Sequence, residues 1–231
     1  MAVSTTIRVF RHMSTSSRTN RCPPPPLVWY DCPDGVKATM TRGRFLRLEW
    51  LLSTAMVTIG LAWATVRHLP LAARCQPTPL AIASGALVGA LLWLAIPLLF
   101  WAPAMRRIRD TTLMPFSRLL RTRDIAVIAL LSGASEEFFF RGVLLPEVGL
   151  GLSSVLFGLL HAVNWIYVAW AAATGAGLGL LANHGGSLVA PVVAHTTYNF
   201  GALMLLRRQA TTSEAERRRA SPLIASSPGI R

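Results

Sequence analysis

Ser135-Glu136-Glu137-Phe138-Phe139-Phe140-Arg141-Gly142 sets two adjacent carboxylates and an arginine inside an otherwise apolar run from Ile125 to Leu145. A run of that length suits a bilayer span. An ionised carboxylate within one costs from about 2.5 kcal/mol upward, so charges found there pair with one another or line a functional cavity. On a helix Glu137 and Arg141, four apart, share a face, while Glu136 points about 100° away. The expectation is a Glu137–Arg141 ion pair that makes the arginine tolerable in the membrane and leaves Glu136 facing a cavity. The Phe138-Phe139-Phe140 run is expected to pack against lipid.

Downstream, two histidines also lie on apolar segments, in Phe157-Gly-Leu-Leu-His161 and His195-Thr-Thr-Tyr-Asn199. Phe157 and His161, like His195 and Asn199, fall on one helix face. A carboxylate, two imidazoles and an amide are sufficient to hydrolyse an amide bond: the acid takes a proton from water, an imidazole orients it, and His195 with Asn199 stabilises the oxyanion. Glu136, His161 and His195 could equally form a three-ligand zinc site with an open fourth position, although there is no HExxH. Both options stay open on the residues. His68 and His184 read as loop residues. A lone intramembrane histidine or asparagine can also serve only to join helices through hydrogen bonds.

The apolar runs Trp50–Val66, Leu80–Trp101, Ile125–Leu145, Leu152–Val163, Trp165–Ala182 and Ser187–Leu206 predict an all-α polytopic transmembrane helix bundle of about six spans. Leu152–Val163 is short, so it is either a tightly joined span or a broken helix lining a cavity. Gly85 and Gly89, four apart, could admit a close helix neighbour. The segment Pro103–Asp124 carries Arg106, Arg107, Arg109, Arg118, Arg121 and Arg123 against only two acids, Asp110 and Asp124. It reads as a cytoplasmic loop or a helix lying on headgroups. With six spans, both termini fall on that same side.

Four regions follow. Residues 1–39, rich in Arg and Ser, are expected to be a disordered extension or the product of a misplaced start. Residues 40–124 hold the first spans and the basic loop, 125–206 the core with the ionisable groups, and 207–231 a disordered cytoplasmic tail. The net charge of +13 comes from 22 arginines and Lys37, which flank the spans and are not interleaved with aromatics, so no nucleic-acid partner is expected. The partners expected are membrane lipid and a peptide or protein substrate. Cys22, Cys32 and Cys75 form neither a CxxC pair nor a plausible disulfide framework.

Glu136-Glu137-x-x-x-Arg141, Phe157-x-x-x-His161 and His195-x-x-x-Asn199, in that order, resemble the CPBP intramembrane proteases, also called the Abi family, which includes the type II CAAX prenyl endopeptidases. The resemblance covers roughly Asp124 to Leu206. It implies that Glu136 is the catalytic base, that His161 helps hold the water, that His195 and Asn199 stabilise the tetrahedral intermediate, and that Glu137 and Arg141 support them. It implies an integral, multi-pass protein, in a bacterial inner membrane, that cleaves a peptide bond near or within the bilayer, with prenylation of the substrate and dependence on zinc both left open. The competing classes are a non-catalytic adaptor of the same fold and a proton-coupled transporter. The latter usually shows an internal repeat, whereas the polar residues here sit in one half of the chain.

Overall fold

The computed structural model describes residues 29–30, 38–39 and 41–225. The expectations for the rest of residues 1–39 and for residues beyond 225 lie outside the described residues. A two-residue antiparallel pairing, β1 (Trp29–Tyr30) on β2 (Ala38–Thr39), precedes the helices. Helices α1 (Arg42–Val66), α2 (Leu71–Arg74), α3 (Pro79–Leu99), α4 (Pro103–Ile108), α5 (Met114–Ser117), α6 (Thr122–Glu137), α7 (Leu145–Leu160), α8 (Trp165–Gly185) and α9 (Val189–Ala225) make up the rest, with π-helical stretches at Arg109–Leu113 and Phe138–Leu144. The starts are capped locally: Thr41, Thr78 and Asn164 accept from the backbone N–H three residues on, and Asp124 accepts from that of Arg121. Each π stretch ends two residues before a proline, Pro115 or Pro146. A proline gives no N–H to the carbonyl four residues back and its ring crowds that carbonyl, so the preceding turn widens.

Five helical runs are long and apolar enough to cross a membrane, and the protein is an integral, multi-pass membrane protein. The expected all-α polytopic bundle is thereby seen, its six apolar segments carried on these five runs. Leu152–Val163 falls in the second arm of a 39-residue run, Thr122–Leu160, after a break at Gly149, in keeping with a tightly joined or broken helix. Laid straight, that run would measure about 58 Å, far more than a hydrocarbon core of about 30 Å. It folds back instead at Gly149, whose φ of 77° and ψ of 172° belong to a region that essentially only glycine enters. The two arms then lie antiparallel, bringing Phe157 against Phe140 and His161 beside Glu136.

Contacts fix the remaining directions. Helix α1 runs parallel to α6 in one register, with Arg42 on Asp124, Ser53 on Ser135 and Arg67 on Glu147. Helix α9 returns antiparallel to α6, pairing His195 with Glu137, Asn199 with Ser132 and Arg207 with Thr122. The starts of α1 and α6 and the Arg207 turn of α9 therefore share one end of the bundle, called basal below. Helix α3 packs along α9 through Gly85 and Gly89, where an added Cβ would strike the carbonyl oxygens of Ala190 and Ala194. Gly158 meets α8 in the same way, at the Val168 carbonyl.

Three further expectations change. The last helix does not stop at Arg207 but continues to Ala225, so the tail expected to be disordered is helical over 207–225. Its Ala, Glu and Arg content favours helix once the chain is already wound. His184 belongs to the last turn of α8, its Nδ1 against the Leu180 carbonyl, and not to a loop. Phe140 does not face lipid. It is buried, edge-on to Phe157 with ring centroids 5.0 Å apart.

Candidate active site

The buried charges begin with the ion pair expected from spacing. Arg141 donates through Nη1 to Glu137 Oε1 at 2.8 Å and through Nη2 to the Gly175 carbonyl at 2.9 Å. Its guanidinium lies 4.5 Å from the centre of the Phe157 ring. Gly175 makes room for it, since a Cβ there would meet Phe157 and Nη2 at about 3 Å. Arg141 and Glu137 are almost wholly buried, a placement tolerable only because each charge is paired and hydrogen-bonded.

Spacing alone did not foretell that Glu137 has a second task. Its Oε1 also accepts from His195 Nδ1 at 2.7 Å. A carboxylate can only accept, so the proton of neutral His195 sits on Nδ1 and the Nε2 lone pair is left free. His161 is set in the same tautomer by another route: its Nδ1 lies 2.8 Å from the Phe157 carbonyl, also an acceptor. That arrangement follows from its place as the C-cap of α7, one turn beyond Phe157.

Both free Nε2 atoms converge on one oxygen. Glu136 Oε2 is 3.7 Å from His161 Nε2 and 3.9 Å from His195 Nε2, and it is buried without a hydrogen-bond partner among the described residues. These separations are too long for direct hydrogen bonds, yet a water oxygen at about 2.8 Å can reach all three groups. Asn199 lies one helical turn toward the basal end, where its Nδ2 donates to Ser132 Oγ at 2.9 Å. The structure thus brings Glu136, His161, His195, Glu137 and Arg141 into one cluster and sets Asn199 on its edge.

As metal ligands the three donors do not fit. Zinc bonds of about 2.0–2.1 Å in a tetrahedron bring donor atoms to about 3.3 Å of one another, closer than the separations found. Among the described residues no group of three or more His, Cys, Asp or Glu side chains could hold a metal ion.

Glu136 and His161 open into a cavity of 280 Å³ whose other walls include Glu49, Ser53 and Met56 of α1 and Leu160 of α7. Glu49 escaped the sequence reading because it stands one residue before the apolar run from Trp50, within a basic segment. Its period along α1 was the available signal: Glu49, Ser53 and Met56 recur at helical spacing and face the same neighbours.

Residues 119–201 match the sequence model of the family described as type II CAAX prenyl endopeptidase Rce1-like. Over this segment the chain is similar to the CAAX protease family. The Rce1-like segment runs from the turn before α6 to the middle of α9, and so contains every member of the cluster. Helices α1 and α3 lie outside it, although α1 supplies a wall of the cavity. No curated protein and no solved structure matches the chain.

Proposed function

We propose that the protein is an intramembrane endopeptidase, similar in chemistry to CAAX-processing enzymes, in which Glu136 activates water against a peptide bond near or within the bilayer. The observation that carries this reading is the convergence of three acceptors, Glu136 Oε2, His161 Nε2 and His195 Nε2, with both imidazole protons tied elsewhere. Such a set holds a water through its two hydrogens, one on Glu136 Oε2 and the other on an imidazole Nε2, and leaves its oxygen lone pairs directed outward. Glu136 takes one proton as that oxygen adds to the carbonyl carbon, then returns it to the leaving nitrogen. His161 orients the water. Asn199 donates to the oxyanion, and the water's second proton passes to His195 Nε2, backed by Glu137, as the intermediate collapses to a carboxylate and an amine. Glu137 and Arg141 position His195 and do not touch the substrate. No step needs a metal ion.

The family match supports a peptide substrate, and prenylation of that substrate is part of the reading to be tested. The basal end collects Arg42, Arg44, Arg47, Arg121, Arg123 and Arg207, which supports a cytoplasmic basal side in a bacterial inner membrane.

The test is cleavage by the purified full chain, in lipid nanodiscs, of a fluorogenic peptide library that includes prenylated C-terminal peptides. Glu136→Ala should cut cleavage by about 10²–10⁴ with a melting profile that matches wild type. His161→Ala and His195→Ala should also lose cleavage, the latter with some loss of stability because it leaves buried Glu137 without a donor. Equal cleavage by Glu136→Ala would transfer the reading to a non-catalytic adaptor.

A further inference from the structure

Six acids have side chains placed by the structure, and five of them have an arginine or imidazole nitrogen within 4 Å. Glu49 does not, in a chain with 23 cationic residues and 10 acids. The nearest arginine along α1, Arg47, turns its Nε back to the Gly43 carbonyl. A partly buried carboxylate beside lipid is an expensive group to leave unpaired. Its surroundings indicate what it faces: Glu49 lines the cavity that also contains Glu136 and His161.

The register of α1 on α6 gives its height. Ser53 pairs with Ser135 and Arg42 with Asp124, so Glu49 stands level with Leu131, on the basal wall of the cavity. Five residues of helix separate that level from Glu136, or about 7.5 Å. An extended peptide covers this distance in about two residues.

We infer that Glu49 is a specificity-determining residue that receives the ammonium or guanidinium of a lysine or arginine in the peptide substrate, about two residues to the basal side of the bond held at Glu136. The inference rests on the endopeptidase reading. A cation there neutralises a carboxylate that is unpaired among the described residues, and the pair forms in a low-dielectric wall where it is stronger than in water.

The experiment uses the full chain in nanodiscs and a set of fluorescent 20-residue Leu/Ala peptides, each with one lysine at a successive position, matched by norleucine peptides. Binding and cleavage are both measured. Wild type should favour lysine at one position by about tenfold in Kd and KM. Glu49→Gln should erase that preference and leave the norleucine peptides unchanged, whereas Glu49→Lys should turn it toward a matching glutamate peptide. Should Glu49→Gln fold poorly, Glu49→Asp keeps the charge on a shorter stem and should favour an arginine peptide over lysine.

The same lysine-to-norleucine ratio in wild type and Glu49→Gln would overturn the inference, as would a uniform fall in kcat across both sets. The binding measurement keeps the two readings apart. A lysine preference lost in Glu49→Gln, with no peptide cleaved, would sink the endopeptidase and retain the site.

Discussion

Helix α9 meets its two main neighbours by opposite means. Toward α3 it offers the Ala190 and Ala194 carbonyls and Thr197 to Gly85 and Gly89, and Gly201 to Trp93. Helix α3 has no charged residue in 21, and this contact is close packing of backbone on backbone. Toward α6 the same helix offers His195 to Glu137 and Asn199 to Ser132. One face supplies adhesion that any well-fitted pair of small residues could give. The other uses groups that are costly in a membrane, and their value lies in where they hold the His195 lone pair. The two faces should therefore respond differently to substitution.

The largest effect is expected at Arg141. Arg141→Ala leaves Glu137 buried without its cation and should cost about 3–5 kcal/mol of stability, together with activity, because Glu137 would no longer be held for His195. Thermal unfolding in detergent and recovery of folded protein measure it. A melting profile equal to that of wild type would mean that the polar face is not held by this pair. The double variant Glu137→Leu with Arg141→Met sharpens the contrast: removing both charges should restore much of the stability and none of the cleavage.

Glu136 should divide the two properties in the other direction. Its buried Oε2 has no hydrogen-bond partner among the described residues, so Glu136→Ala should melt like wild type while kcat falls by about 10²–10⁴. A parallel loss of stability would place Glu136 among the structural charges, and the contrast between the adjacent glutamates would collapse. On the apolar face, Gly89→Leu should cost about 1–3 kcal/mol by forcing α3 away from Ala194 and Thr197. Its kcat per folded molecule should remain within a few-fold of wild type. A strong loss of kcat instead would show that α3 sets the position of His195 through α9.

What the sequence disclosed follows the same division. Short-range geometry was legible: Glu137 and Arg141 are one turn apart and pair, Glu136 points elsewhere, and the Gly85–Gly89 spacing marks a close helix contact. Long-range geometry was not. Pro146, Gly149 and Gly151 mark a break between two apolar runs, but not the direction the chain takes after it, and the reversal at Gly149 determines that His161 reaches Glu136. The second bond of Glu137, to a residue 58 positions away, depends on how α9 returns along α6. Phe140 departs from expectation for the same cause, since the folded-back arm of α7 sets Phe157 against it and residues of α1 and α8 close the cluster.

The smallest expected effect concerns metal. Oε2 and the two Nε2 atoms stand at the distances of groups that share a water, wider than those of groups that share a zinc ion. Prolonged dialysis of the purified chain against a strong chelator should therefore leave kcat/KM unchanged, and elemental analysis should find far less than one zinc per chain. Loss of cleavage on chelation, restored by zinc alone, would require the three side chains to close by several tenths of an ångström around an ion. His195 would then remain anchored through Nδ1 on Glu137 while Nε2 became a ligand, since a metal-bound imidazole commonly keeps its other nitrogen on a carboxylate. The polar face of α9 would in that case be built to orient a ligand, and Glu137→Gln should weaken zinc retention by about 10–100-fold. If no zinc is bound, the same substitution should shift the pH profile of cleavage and also cost stability, because Glu137 both holds the His195 proton and pairs the buried Arg141.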